Sequence, residues 1–226
     1  MIDFYFNAAP NPMKVALFLE ESGLVYRAKP LDTKLGQQHT PEFLSINPNA
    51  KLPALIDDGV SLFDSNAILL YLAEKTGTFL PQDAALRGPM LSWLFFVASG
   101  VGPYSGQAVH FQHFAVDKSP YAVKRYRFEA RRHWQIIDDQ LGKGRYMLGD
   151  DYTIVDMAVW GWAPRIPFML DNDSAAGFTN IKGLMDELNE RPAAQRALAL
   201  PGQHPFKTEM DAAAIRFMYP QIFSDE

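Results

Sequence analysis

The sequence predicts a small α/β domain followed by an all-helical one, and three observations carry that expectation. Over the first 80 residues, short β-rich runs alternate with amphipathic segments in the order βαβ, a connection, then ββα. Beyond Pro81 the β signals stop and helical patterns take over. The 226 residues, 48% hydrophobic and 21% charged, are enough to bury a sizeable core, about 70% of the unfolded surface for a chain of this length.

The elements follow in order. Ile2 to Phe6 is a short strand run. Asn11 and Pro12 open a helix through Glu21 that ends at Gly23, with an N-cap residue, a proline in the first turn and a glycine past the end. Leu24 to Leu31 reads as a second strand, and because Pro30 cannot donate to a ladder this strand belongs at a sheet edge. Lys34 to Ser45 is polar and irregular, with Pro41 to Leu44 as one helical turn. Lys51 to Ile56 is a third strand run, joined through Asp57-Asp58-Gly59 to Val60-Ser61-Leu62-Phe63, a good hairpin signal. Asp64, Ser65 and Asn66 offer N-caps for a helix from Ala67 to Lys75, closed by Gly77.

The expected domains are 1–81 and 88–226, with a linker at 82–87. Val123, Tyr126, Ala130, Trp134, Ile137 and Leu141 recur at three- and four-residue steps and mark a long helix with one buried stripe. Thr153 and Asp156 form a capping box for a helix over 154–162 that is apolar on most faces and so central. No element is assigned beyond about Gln203.

Composition excludes several function classes. Twenty-one Lys and Arg against 26 Asp and Glu leave a net charge of -5, which disfavours nucleic acid and anionic membrane as partners. The most apolar stretch, Met90 to Val101, falls short of the roughly 20 residues a spanning helix needs. The opening residues carry an early acid and no basic leader, so the expected compartment is the cytoplasm. Cysteine is absent, which removes disulfides, thiolate metal sites and a protein-borne Cys nucleophile. His110 and His113 stand at i, i+3 and could face one metal, but without Cys or a nearby carboxylate no metal is expected; their aromatic surroundings suit the wall of a second-substrate site.

Three segments carry a family resemblance: Asn47-Pro48-Asn49-Ala50-Lys51-Leu52-Pro53-Ala54-Leu55, the run Leu62 to Leu72, and the box from Thr153 to Asp156. The chain resembles the glutathione transferases over nearly its whole length. Ala9-Pro10-Asn11, Gly36-Gln37-Gln38 and the run Leu91 to Phe96 with Gly102-Pro103 and Gly106-Gln107 are most similar to the bacterial nu class, whose members reduce disulfides with glutathione. The resemblance implies a thioredoxin-like N-terminal domain and an all-α helical bundle as the C-terminal one.

It also implies a site. Pro53 would be a cis proline that lets Leu52 offer its N–H and C=O to an extended peptide. Asp64 and Ser65 stand at a helix start, where free N–H groups suit a ligand carboxylate; Ser65 would donate to it and Asp64 would pair with the ligand's amino group. Their plain alternative is N-capping. Gln38 would hydrogen-bond the glycyl end of glutathione, with Lys51 facing the same carboxylate. Asn11 is the candidate catalytic residue: an N-cap or, compatibly, an amide donor that with the helix start stabilises the glutathione thiolate. The nu-class pattern has Thr where this chain has Ala9, so one hydroxyl donor is missing. Tyr5 is a rival catalytic group, although alternation with Phe4 and Phe6 points to a packing role. Arg125, with Arg132 as substitute, matches an arginine that reaches the partner subunit's glutathione, which implies a homodimer.

The implied activity is glutathione-dependent disulfide-bond reduction, extending to peroxidase chemistry and detoxification, with glutathione as co-substrate. Conjugation of glutathione to electrophiles and non-catalytic glutathione binding stand as alternatives.

Overall fold

The computed structural model describes residues 1–223. Its contacts divide the chain into two units, one of Met1–Tyr71 together with the segment from Ala193 onward, the other of Leu72–Pro192. The division thus differs from the expected one at residue 81, because the last thirty-odd residues group with the strands rather than with the helices.

In the first unit, β1 (Ile2–Phe6), α1 (Pro10–Ser22) and β2 (Tyr26–Pro30) form the βαβ half, and β3 (Ala54–Asp57), β4 (Val60–Phe63) and the part of α3 (Ser65–Thr76) up to Tyr71 the ββα half, with the single turn α2 (Pro41–Leu44) between them. The four strands lie in the order β2-β1-β3-β4, β1 parallel to β2 and antiparallel to β3. Pro30 therefore sits on an edge strand, where its missing N–H leaves no gap in a ladder. Asp58 and Gly59, both at positive φ, turn the β3–β4 hairpin. Alternation splits β1: Phe4 and Phe6 are fully buried, while Tyr5 packs against the cluster of Leu31, Phe43 and Ala54.

Two helix starts move forward from their expected places. α1 begins at Pro10, with Ala9 as N-cap, so Asn11 is a helical residue and not the cap. Asn7 explains the shift: its Oδ1 accepts from Ala9 N at 3.0 Å and turns the chain two residues early. α3 begins at Ser65 rather than Ala67, because Asp64 Oδ1 accepts from Asn66 N and Ala67 N at 2.9 and 3.0 Å.

The segment from Ala193 completes this unit. α11 (Pro192–Ala199) buries three alanines, and Arg196 ties it to Glu20 of α1 at 2.6 Å. Next, His204 and Phe206 set their rings edge-on against Phe6, and Asp32 Oδ2 accepts from Lys207 N at 2.6 Å. α12 (Ala212–Met218) then packs beside Thr33–Leu35. Gly36 is doubly determined there: its φ is +78°, and a Cβ would stand 2.7 Å from the Phe217 ring.

The second unit is helical: α4 (Arg87–Phe96), α5 (Gly102–Val109), α6 (Pro120–Leu141), α7 (Ile154–Trp162), α8 (Ile166–Met169), α9 (Asn172–Ala176) and α10 (Thr179–Asn189). α4 and α5 belong to one helical run, Ala84–Phe114, widened into π turns at Val97–Val101 and His110–Phe114. Pro103, which cannot donate to Ser99, accounts for the first widening. The run is long and apolar enough to cross a membrane by length and composition, with 28% of its most apolar window buried; Met90–Val101 understates it. α7 is buried along its whole length, as its pattern predicts, and its capping box is present.

Candidate functional site

The first unit gathers most of the expected site residues around one end of its sheet. The Leu52–Pro53 peptide is cis, immediately before β3. Asn47, 2% exposed, holds this loop from within: its Nδ2 donates to Lys51 O at 2.6 Å, and its Oδ1 accepts from Asn49 N at 3.0 Å. Leu52 is half-buried and packs on the Leu31–Phe43 cluster, and the Lys51 side chain is exposed.

At the start of α3, the capping role falls to Asp64. Asp64, at φ +68°, spends Oδ1 on the cap, while Ser65 is the first helical residue and is buried. Behind it, Lys14 of α1 is buried and donates from Nζ to Ser65 Oγ at 3.3 Å and Asn66 Oδ1 at 3.4 Å. Burial pushes the Lys14 ammonium down to about 7, partly offset by Asp64. No motif marks Lys14, yet one basic residue inside Met13 to Leu19 was a signal that an amphipathic reading of α1 passes over.

Asn11 lies in the first turn of α1, half-buried, between Pro10 and Pro12. Those prolines delete two of the donors a helix start ordinarily presents, which leaves Asn11 as the residue there with both a backbone N–H and a side-chain amide. Ala9 makes no side-chain cap. Tyr5 is ill-suited as an acid or thiolate partner, because its ring packs on Phe43 at 5.7 Å, and burial first, then Asp3, push its phenol up.

Gln38 is buried, and its Nε2 donates to Phe217 O of α12 at 2.9 Å. Its Oε1 is buried without a hydrogen-bond partner among the described residues. The amide thus offers an acceptor, which fits a ligand N–H and not a carboxylate.

Arg125 belongs to the second unit. It is exposed on α6 and pairs with Glu129, which also receives Arg132 at 2.9 Å, so the three share one helical face. In the same unit His113 stacks on Phe168 at 3.9 Å and is held at Phe168 O.

A four-stranded mixed sheet with a cis-proline loop, and a capped helix start beside it, define the thioredoxin-like class of peptide-thiol-binding units. Family models extend this: the glutathione S-transferase N-terminal domain matches residues 4–74 and the C-terminal domain residues 120–187. The chain is 42% identical over 205 residues to the disulfide-bond oxidoreductase YfcG of Escherichia coli K12, covering 88% of this chain and 94% of that one. A glutathione transferase from Burkholderia graminis, crystallised with two glutathione molecules per subunit, superposes with a TM-score of 0.84 at 37% identity, covering 90% and 89% of the two chains. One from Pseudomonas putida, holding one glutathione disulfide per subunit, gives 0.83 at 34%, covering 89% and 92%. The chain belongs to the glutathione S-transferase family.

Proposed function

We propose that this protein is a cytoplasmic, homodimeric glutathione-dependent disulfide-bond reductase of nu-class type, in which the ligand brings the only reactive sulfur. The observation that carries the reading is a thioredoxin-like unit with a cis-proline loop in a chain that contains no cysteine. The likeness to a disulfide-bond oxidoreductase and to a transferase holding glutathione disulfide supports it.

Glutathione lies extended against Leu52 and Pro53, pairing with the Leu52 backbone as an added strand does. Ser65 donates to the γ-glutamyl carboxylate, and the Asp64 carboxylate, with one oxygen outside the cap, faces the ammonium. Gln38 Oε1 accepts from a peptide N–H, and Lys51 faces the glycyl carboxylate. The thiol then falls at the start of α1, where Asn11 and the helix dipole stabilise the thiolate. The thiolate attacks one sulfur of the substrate disulfide and expels the other as a thiolate. A second glutathione thiolate attacks the resulting mixed disulfide, releasing glutathione disulfide and the second substrate thiol, so two glutathiones are oxidised per disulfide reduced.

Arg125 reaches the partner's glutathione in this reading. Its exposed face on α6, next to the 62% exposed Phe128, supports a second copy as the cover. Molar mass by light scattering tests the dimer: a monomer at micromolar concentration sinks that part. For the chemistry, 2-hydroxyethyl disulfide and glutathione are supplied with coupled detection of glutathione disulfide. Turnover is expected; its absence, combined with turnover on a chlorinated nitroaromatic, would replace reduction by conjugation, and tight glutathione binding with neither would make the protein a carrier.

A further inference from the structure

The buried ammonium of Lys14 is left without an explanation by the fold alone. It is 1% exposed, in the middle of the apolar face of α1, and its two hydrogen bonds join that helix to the first turn of α3. A buried cation is costly unless an anion compensates it. The charged group that acts on it is Asp64, through space, and the Asp64 side chain sits at the exposed cap with one oxygen committed to Asn66 and Ala67. An ammonium has three donors and no acceptor, so by taking a lone pair of Ser65 Oγ it forbids Ser65 from donating back. The Ser65 proton must point to another acceptor.

We infer that Lys14 is a positioning residue for the carboxylate of the bound peptide: it sets Ser65 as a donor toward that carboxylate and supplies the countercharge behind it. The inference rests on the glutathione-binding reading above. A carboxylate seated at Ser65 stabilises the ammonium, which burial brings down to about 7, so binding takes up a proton at neutral pH. When Lys14 loses its proton its nitrogen gains a lone pair, Ser65 donates inward, and the ligand loses its donor. Affinity therefore falls as pH rises above about 7.

The test is calorimetric titration of the full chain with S-methylglutathione, whose blocked sulfur removes the thiol from the pH profile. Titrations run between about pH 6 and 8 in buffers of different ionisation enthalpy, which count the protons taken up. The wild type is expected to take up roughly half a proton at pH 7, more toward pH 8. Lys14→Met should abolish uptake and weaken binding on the order of tenfold, and adding Ser65→Ala to it should cost little more, since both act on one contact. Saturable binding by the wild type without proton uptake overturns the role of Lys14 and leaves the glutathione reading standing. Failure of the wild type to bind overturns both. The wild-type measurement decides the matter even if Lys14→Met does not fold.

Discussion

Asn11 and Ala9 sit two residues apart and make opposite contributions to the start of α1. Asn11 brings an amide to a turn otherwise stripped of donors by Pro10 and Pro12, so Asn11→Ala should lower kcat/KM for disulfide reduction by on the order of ten- to a hundredfold with little change in fold. A steady-state assay on purified variant and wild type checks this, and unchanged kcat/KM would remove Asn11 from the chemistry. Ala9 is an N-cap without a capping side chain. Ala9→Thr should raise the melting temperature by about 2–4 °C if the new hydroxyl caps Asn11 N–H. Should the hydroxyl serve a bound thiolate instead, turnover rises and the melting temperature does not, so scanning calorimetry beside the assay separates the two. Lys14 adds a pH dependence at the same scale. Its folded value of about 7 lies below the ordinary 10.5, so between those limits the unfolded chain holds a proton that the folded one has lost. Stability should therefore rise with pH across that window, and urea midpoints for Lys14→Met should be flat by comparison.

At the scale of elements, the capping box of α7 is the sharpest case. Asp156 is fully buried and accepts from Met147 N and Thr153 N, both at 2.8 Å, as well as from Thr153 Oγ1 at 3.1 Å. Asp156→Ala strands those donors inside the helical unit and should cost about 3–5 kcal/mol in denaturant unfolding. This box was legible from four residues because a cap is local chemistry. The hairpin at Asp58-Gly59, the edge position of Pro30 and the buried stripe of α6 were legible for the same reason. What local patterns did not disclose were the partners chosen across space. Asn7 took the turn that Asn11 seemed to own, and Asp64 took the cap offered equally by Ser65 and Asn66. No local pattern marks Lys14, because its partners, Ser65 and Asn66, lie 51 and 52 residues away. The site was readable where a motif spells it out, as at Leu52-Pro53 and Asp64-Ser65, and unreadable in the layer that holds those residues from behind.

For the molecule as a whole, the division into units is the unforeseen feature. Local patterns assign no element from His204 onward, yet this segment supplies Phe217 O to Gln38, Lys207 N to Asp32 and two rings to Phe6. Truncation after Gln203 should therefore lower the melting temperature of the α/β unit and release the Gln38 amide, giving it a free donor as well as a free acceptor. Thermal unfolding and glutathione affinity of the truncated chain check this; a melting temperature and an affinity both equal to those of the full chain would show that the segment only decorates the surface. Helical patterning tells what an element is and not what it packs against, and the residues from Ala193 onward, helical as they are, group with the strands.

The interrupted layout of the α/β unit has a consequence during synthesis. Its strands are translated first, but α11, α12 and the chain between them emerge only after about 120 intervening residues have left the ribosome. Until then Phe6 lacks two of its ring neighbours and Asp32 lacks a donor. The nascent sheet therefore stays incompletely sealed until the chain on the far side of the helical unit has been made.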